Sequence, residues 1–177
     1  MASKQMDALV AIHLNSVFQF CCYLTGSRLE AEDLSQDAFV KAMELGNRFP
    51  FDGTEREIRN FFIGIAVNLW RNQQRKRKRR QEIAPTSHID ETEQEKLSSP
   101  DNVEQEVLER ELMSAVQCAV SQLPEKQRVV VHLYYSAGMS MEEIAGVLHI
   151  PKQTVKSRLR LAKERLRKNL EVSGYER

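Results

Sequence analysis

Residues 123–170 read LPEKQRVVVHLYYSAGMSMEEIAGVLHIPKQTVKSRLRLAKERLRKNL. Within this stretch, Ser140-Met141-Glu142-Glu143 has the form of a capping box, in which a serine and a glutamate satisfy the first free N–H groups of a helix. Ile144, Ala145 and Leu148 follow on the packed side, His149-Ile150-Pro151 breaks the helix, and Pro151 helps start a strongly basic second one. At about 100° per residue, Val155, Leu159, Ala162 and Leu166 fall within about 60° of one another and form a core face. Gln153, Lys156, Ser157 and Arg160 lie roughly opposite, near the helix N-terminus. Two helices so joined predict a helix-turn-helix, which sets its second helix into the DNA major groove. Gln and Arg or Lys pair with adenine and guanine edges, so those four residues are the base-reading candidates. Lys152, Thr154, Arg158 and Lys163 flank them and suit phosphate contacts. The plainer reading is a solvated basic face on an ordinary helix. The capped first helix and the correctly placed core face weigh against it.

Upstream, the spacing predicts a helix over 5–25, with Leu9, Ile12, Val17, Phe20 and Leu24 as its stripe and Gly26 as its stop. Ser27 and Glu30 form a second capping box, and the helix it opens runs to about Leu45, with Ala31, Leu34, Ala38 and Leu45 facing a core. A loop with Pro50 and Gly53 leads to a third helix, from about Glu55 to Arg80. Arg71 and every residue from Arg75 to Arg80 are basic, seven positive charges in ten residues. Phe49, Phe51, Phe61, Phe62 and Trp70 precede this run. Aromatic rings beside a cationic track hold single-stranded or melted DNA, with bases on rings and cations on phosphates. Phe62, Ile65 and Leu69 have core spacing, which assigns Phe61 and Phe62 to packing. The loop residues Phe49 and Phe51 and the helix-end Trp70 stay candidates for DNA.

From Gln81 to about Asn102 periodicity disappears and the chain turns polar and acidic. Helical spacing resumes through Leu112, Val116, Ala119 and Leu123, and Pro124 opens a helix that stops near Gly138. The expected fold is all-α: two small helical domains, residues 1–80 and 105–173, joined by a flexible acidic linker at 81–104. Charge is segregated in the same way. Residues 1–80 carry 13 Lys/Arg against 9 Asp/Glu, residues 81–111 carry 2 against 10, and residues 112–177 carry 11 against 6, so the overall +1 conceals basic, acidic and basic blocks.

Cys21, Cys22 and Cys118 form no disulfide framework and no metal-ligand spacing, and read as buried small residues in a reducing compartment. The N-terminus lacks the pattern of a signal peptide. The longest apolar-rich run, Phe61 to Trp70, is too short to cross a bilayer, so no membrane insertion and a cytoplasmic location are expected. Glu142/Glu143 and Asp33/Asp37 are accounted for by capping or an exposed face, and His13, His88, His132 and His149 are scattered. A nuclease therefore has no constellation to work with, and no enzyme activity, metal or cofactor is expected. A stand-alone duplex-binding regulator would use residues 123–170 but would leave the aromatic-basic segment unexplained.

The chain resembles the alternative sigma factors of bacterial RNA polymerase, in their compact extracytoplasmic-function group. The resemblance rests on the 31–42 stretch AEDLSQDAFVKA, on Ile65-Ala66-Val67-Asn68, and on Leu123-Pro124, Arg128, Tyr134, Glu143-Ile144-Ala145 and Thr154-Val155-Lys156-Ser157-Arg158-Leu159, in that order. It implies a region 2 bundle and a region 4 helix-turn-helix that bind core polymerase at its clamp coiled coil and flap. Asp33, Gln36, Asp37, Phe39 and Lys41 would lie on or near the polymerase-docking helix. The loop from Asn47 to Arg56, with Phe49 and Phe51, would hold a flipped −10 base, and Asn68, Arg71 and Arg75 would contact DNA beside it. Region 4 would read the −35 element, the acidic linker would thread toward the RNA exit path, and an anti-sigma factor would mask the chain. Gln153 stands where the family often has Gly, and Leu161 where it has Arg.

Overall fold

The structure, a computed structural model, describes residues 2–45, 52–83 and 103–172, with side chains for 6–45, 52–83 and 112–171. Seven α-helices and one π-helical turn make up the described residues, with no strand among them. The chain divides into two compact units, Met1–Gln94 and Glu95–Arg177.

In the first unit, α1 (Ala2–Thr25), α2 (Arg28–Leu45) and α3 (Glu55–Ile83) pack on one another. Gly26 separates α1 from α2 at φ 72°, a left-handed conformation that favours glycine. The Ser27 box forms only in part. Ser27 Oγ accepts from the Glu30 N–H at 3.4 Å, but the Ser27 N–H donates to Thr25 Oγ1 and the Glu30 carboxylate pairs with Arg77 at 2.7 Å. A box the sequence reading passed over starts α3, where Thr54 Oγ1 accepts from the Glu57 N–H at 3.3 Å and Glu57 Oε2 accepts from the Thr54 N–H at 2.8 Å.

The core of this unit joins Val17, Phe20, Cys21 and Leu24 of α1 to Ala31, Leu34, Ala38, Phe39 and Ala42 of α2 and to Ile58, Phe62, Ile63, Ala66, Val67 and Trp70 of α3. Ile12 does not belong to it, being 60% exposed, and His13 takes the inward position instead. The side chain at 13 is four residues before Val17 and so shares its face, whereas Ile12 is turned about 100° away. Leu45, Ile65 and Leu69 are half-buried rather than core. Met6–Thr25 is long and apolar enough by composition to cross a membrane, which corrects the choice of Phe61–Trp70 as the longest such run. One side of it, with Val17, Phe20, Cys21 and Leu24, packs on α2 and α3, while Ile12, Leu14 and Tyr23 are exposed.

In the second unit, α4 (Val103–Ser121), α5 (Glu125–Val131), α6 (Met141–Leu148) and α7 (Lys152–Val172) surround a core of Ala119, Val120, Leu123, Val129, Val130, Leu133, Met139, Ile144, Leu148, Val155, Leu159 and Ala162. Pro124 precedes α5, and its carbonyl accepts the N–H groups of Gln127 and Arg128 at 2.8 and 3.0 Å. The sequence reading carried this helix on toward Gly138. Instead α5 passes into a π turn at His132–Ser136, where the Ala137 N–H reaches the His132 carbonyl at 3.0 Å. Gly138, at φ 66°, then releases the chain toward α6.

Candidate nucleic-acid interface

The helix-turn-helix is assembled from local signals. Ser140 Oγ accepts from the Glu143 N–H at 3.2 Å and Glu143 Oε2 accepts from the Ser140 N–H at 2.7 Å, so the box that opens α6 is complete. At the other end His149 adopts φ 53°, and the N–H groups of Ile150 and His149 bond to the carbonyls of Ala145 at 3.1 Å and Gly146 at 3.4 Å. This is a Schellman closure with histidine where glycine is usual. Histidine is among the residues that enter this region more often than most. The Pro151 carbonyl then accepts from Thr154 and Val155, which starts α7 at Lys152.

On α7, Val155, Leu159 and Ala162 are buried and Leu166 is half-buried, so the inward face is the one its spacing predicts. Gln153, Lys156 and Arg160 are exposed, and Ser157 is half-buried with its hydroxyl on the Thr154 carbonyl at 3.4 Å. Lys152 and Lys163 are exposed, and Thr154 and Arg158 are half-buried. Two of these cations are engaged by carboxylates. Lys152 Nζ pairs with Glu142 Oε1 of α6, and Arg160 NH1 pairs with Glu164 Oε1 at 2.6 Å. Glu142 is exposed, and its hydrogen bond from Lys152 draws its carboxyl below the usual range. Neither pair was read from the sequence, although i,i+4 spacing is a signal for the second.

Arg128 and His132 serve the frame around this helix. Arg128 NH1 donates to the Ser121 carbonyl at 3.0 Å, tying α5 to the end of α4. Burial lowers the affinity of the guanidinium for its proton, and Glu125 opposes that. His132 is buried, and desolvation with nearby Arg128 pushes its pKa down to about 4.

In the first unit, the cationic track occupies α3 beyond Trp70, where no residue is buried. Asn68 and Arg75 are exposed and Arg71 is half-buried, and their spacing puts all three on one side of α3. Arg56 is exposed in the first turn of α3, while Asn47, Phe49 and Phe51 lie outside the described residues. Trp70 is only 2% exposed and belongs to the core, which corrects its candidacy as a ring for bases. Phe62 is fully buried, as its spacing suggested, and Phe61 is half-buried. Asp33, Gln36, Asp37 and Lys41 are exposed on α2. Phe39 is not, because its ring sits edge-on to Phe62 with centroids 5.0 Å apart and belongs to the core. Cys21 is buried with its thiol pushed up to about 12 by desolvation, whereas Cys118 is exposed, contrary to the expectation of three buried cysteines. No group of three or more His, Cys, Asp and Glu side chains that could hold a metal ion occurs among the described residues.

Comparison with known proteins matches residues 9–80 to sigma-70 region 2 and residues 113–166 to sigma-70 region 4. The ECF RNA polymerase sigma factor SigW of Bacillus subtilis is 33% identical over 92% of this chain and 87% of its own length. The chain belongs to the ECF sigma factors. SigL of Mycobacterium tuberculosis is another such relative of this sigma factor, 31% identical over 97% of this chain and 92% of its own. The fold matches a co-crystal structure of the sigma factor RpoE with the anti-sigma factor NepR from Bartonella quintana, at TM-score 0.71 and 23% identity, over 96% of this chain and 98% of that one. It also matches CnrH in complex with the cytosolic domain of CnrY, at TM-score 0.63 and 22% identity, over 94% and 88% of the two chains. Proteins of this family are transcription initiation factors rather than catalysts.

Proposed function

We propose that this sigma factor recruits core RNA polymerase to promoters through residues 1–80 and 105–173, with 81–104 as an acidic connector toward the RNA exit path. The exposed side of α2, with Asp33, Gln36, Asp37 and Lys41, docks on the polymerase clamp coiled coil, and the second unit meets the flap. In the second unit, α7 enters the major groove at the −35 element. Gln153, Lys156, Ser157 and Arg160 read base edges, and Lys152, Thr154, Arg158 and Lys163 hold phosphates. In the first unit, Arg56, Asn68, Arg71 and Arg75, with Asn47, Phe49 and Phe51 of the preceding segment, capture the opened −10 element, so that binding offsets the cost of unstacking. An anti-sigma protein is the natural antagonist, as in the complex of RpoE with NepR, whose sigma chain shares this fold. The work is done in the cytoplasm, where polymerase and DNA are.

The observation that carries this reading is the order of the family matches, 9–80 then 113–166, each on a unit with an exposed cationic helix. Run-off transcription with bacterial core polymerase, this chain and a pool of promoter fragments tests it. Discrete start sites that depend on the chain are expected, and their alignment supplies both elements. No core binding and no start sites, with active polymerase controls, would return the chain to a stand-alone duplex binder. Asp37→Arg is expected to weaken core binding at least tenfold in a fluorescence assay while leaving duplex binding intact, the size of effect that reversing a desolvated interface charge produces. Full core affinity in that variant would remove Asp37 from the docking side.

A further inference from the structure

Arg160 stands on the side opposite the buried stripe of Val155, Leu159 and Ala162, where DNA would lie if α7 is the recognition helix, and Lys152 is exposed at the first residue of α7, flanking that side. Both are held by carboxylates. Arg160 reaches one turn along the helix to Glu164 at 2.6 Å, which draws its guanidinium toward the C-terminal end of α7 and away from the end that enters a groove. Lys152 is drawn across to Glu142, in the first turn of α6. Phosphates and carboxylates compete for the same donors, and the NH1 group that Glu164 holds must leave it before the end-on fork of Arg160 can take a guanine edge. A third pair of the same form, Arg167 with Glu171 at 3.4 Å, lies two turns beyond Arg160 and outside the base-reading stretch.

We propose that Glu142 and Glu164 are positioning residues that restrain DNA affinity, each holding one cation of α7 in a place from which DNA must displace it. The consequence is a lower affinity for DNA at large, so that α7 engages where the exchange is favourable. The inference rests on the reading of α7 as the DNA-binding helix. An exposed ion pair weighs no more than about fivefold in an equilibrium, so each carboxylate adjusts binding and does not abolish it.

The test is a pair of double-mutant cycles in the full chain, read by fluorescence anisotropy on a labelled mixed-sequence duplex at low salt. Glu164→Gln and Glu142→Gln should each tighten binding by about two- to fivefold, and Glu171→Gln should leave it unchanged. The gain should vanish when the cation is removed first, so that E164Q has no effect in an R160M background and E142Q none in K152M. It should also shrink as salt is raised, because exposed pairs are screened. Thermal unfolding of each variant identifies any loss that comes from folding. A gain that persists undiminished in the R160M and K152M backgrounds would mean simple removal of negative charge, and would overturn the inference. Absence of any gain in a wild-type chain that binds the duplex would overturn it as well, with the α7 reading intact. A wild-type chain with no duplex binding at low salt would overturn the α7 reading itself, and the inference with it.

Discussion

In the second unit, Lys156 and Arg160 stand on a helix whose opposite side, Val155, Leu159 and Ala162, is sealed in a core. In the first unit, Arg75 to Arg80 stand on the part of α3 that has run past its last buried residue, Trp70. The first arrangement fixes the rotation of the helix, so particular side chains face outward at known angles, as base reading requires. The second gives charge on all sides of a projecting helix, joined to α2 by the exposed Glu30–Arg77 pair. Such a projection suits phosphates, which need charge and tolerate imprecise direction. The difference teaches that how much of a helix the core holds decides whether its cations are confined to one side or spread around it.

The comparison can be broken most forcefully at the last buried residue of α3. Trp70→Ala should destabilise the first unit by roughly 3–5 kcal/mol, the usual cost of emptying a large aromatic site. Urea unfolding followed by circular dichroism checks this. Unchanged stability with lost promoter opening would make Trp70 a base contact and place the projecting track one residue earlier.

Next in size is the acid response of the second unit. His132 has a folded pKa of about 4 against an ordinary 6.5, so the folded form favours the neutral ring. The unfolded chain takes up the proton first, and stability should therefore fall as pH drops from about 6.5 to about 4, by up to about 3 kcal/mol. Thermal unfolding of the wild type and His132→Gln across that window measures it. A pH dependence that the substitution leaves unaltered would assign the effect to other groups.

A rotation fixed by the core also makes a claim about Arg160. Arg160→Ala should reduce discrimination at one −35 base pair by about 1–3 kcal/mol. Equal loss on every sequence would make it a phosphate contact and weaken the contrast between the units. The smallest effects concern the caps. Ser140→Ala should cost about 1 kcal/mol because both bonds of its box are made. Ser27→Ala should cost less, since Glu30 is turned to Arg77 and the remaining bond is 3.4 Å long. Equal losses in differential melts would show that the reciprocal bond contributes nothing.

Much of the candidate site was legible because its signals are local. The Ser140–Glu143 box, the Pro151 start and the spacing of Val155, Leu159 and Ala162 depend on residues no more than a turn or two apart, so the sequence by itself determined the helix-turn-helix and the outward stripe of Gln153, Lys156 and Arg160. The same holds for the basic run at 75–80, which composition alone displays. What only the tertiary structure decided are matters of choice among partners. Phe39, Phe62 and Trp70 are inside because three helices meet there, and helical periodicity cannot say which of two apolar sides will find a neighbour. Glu30 left its own cap for Arg77, 47 residues away in sequence, and Lys152 found Glu142 on the preceding helix. Caps and periodicity are set by bonds within a single helix, whereas side-chain pairing between helices exists only once packing has brought their surfaces together.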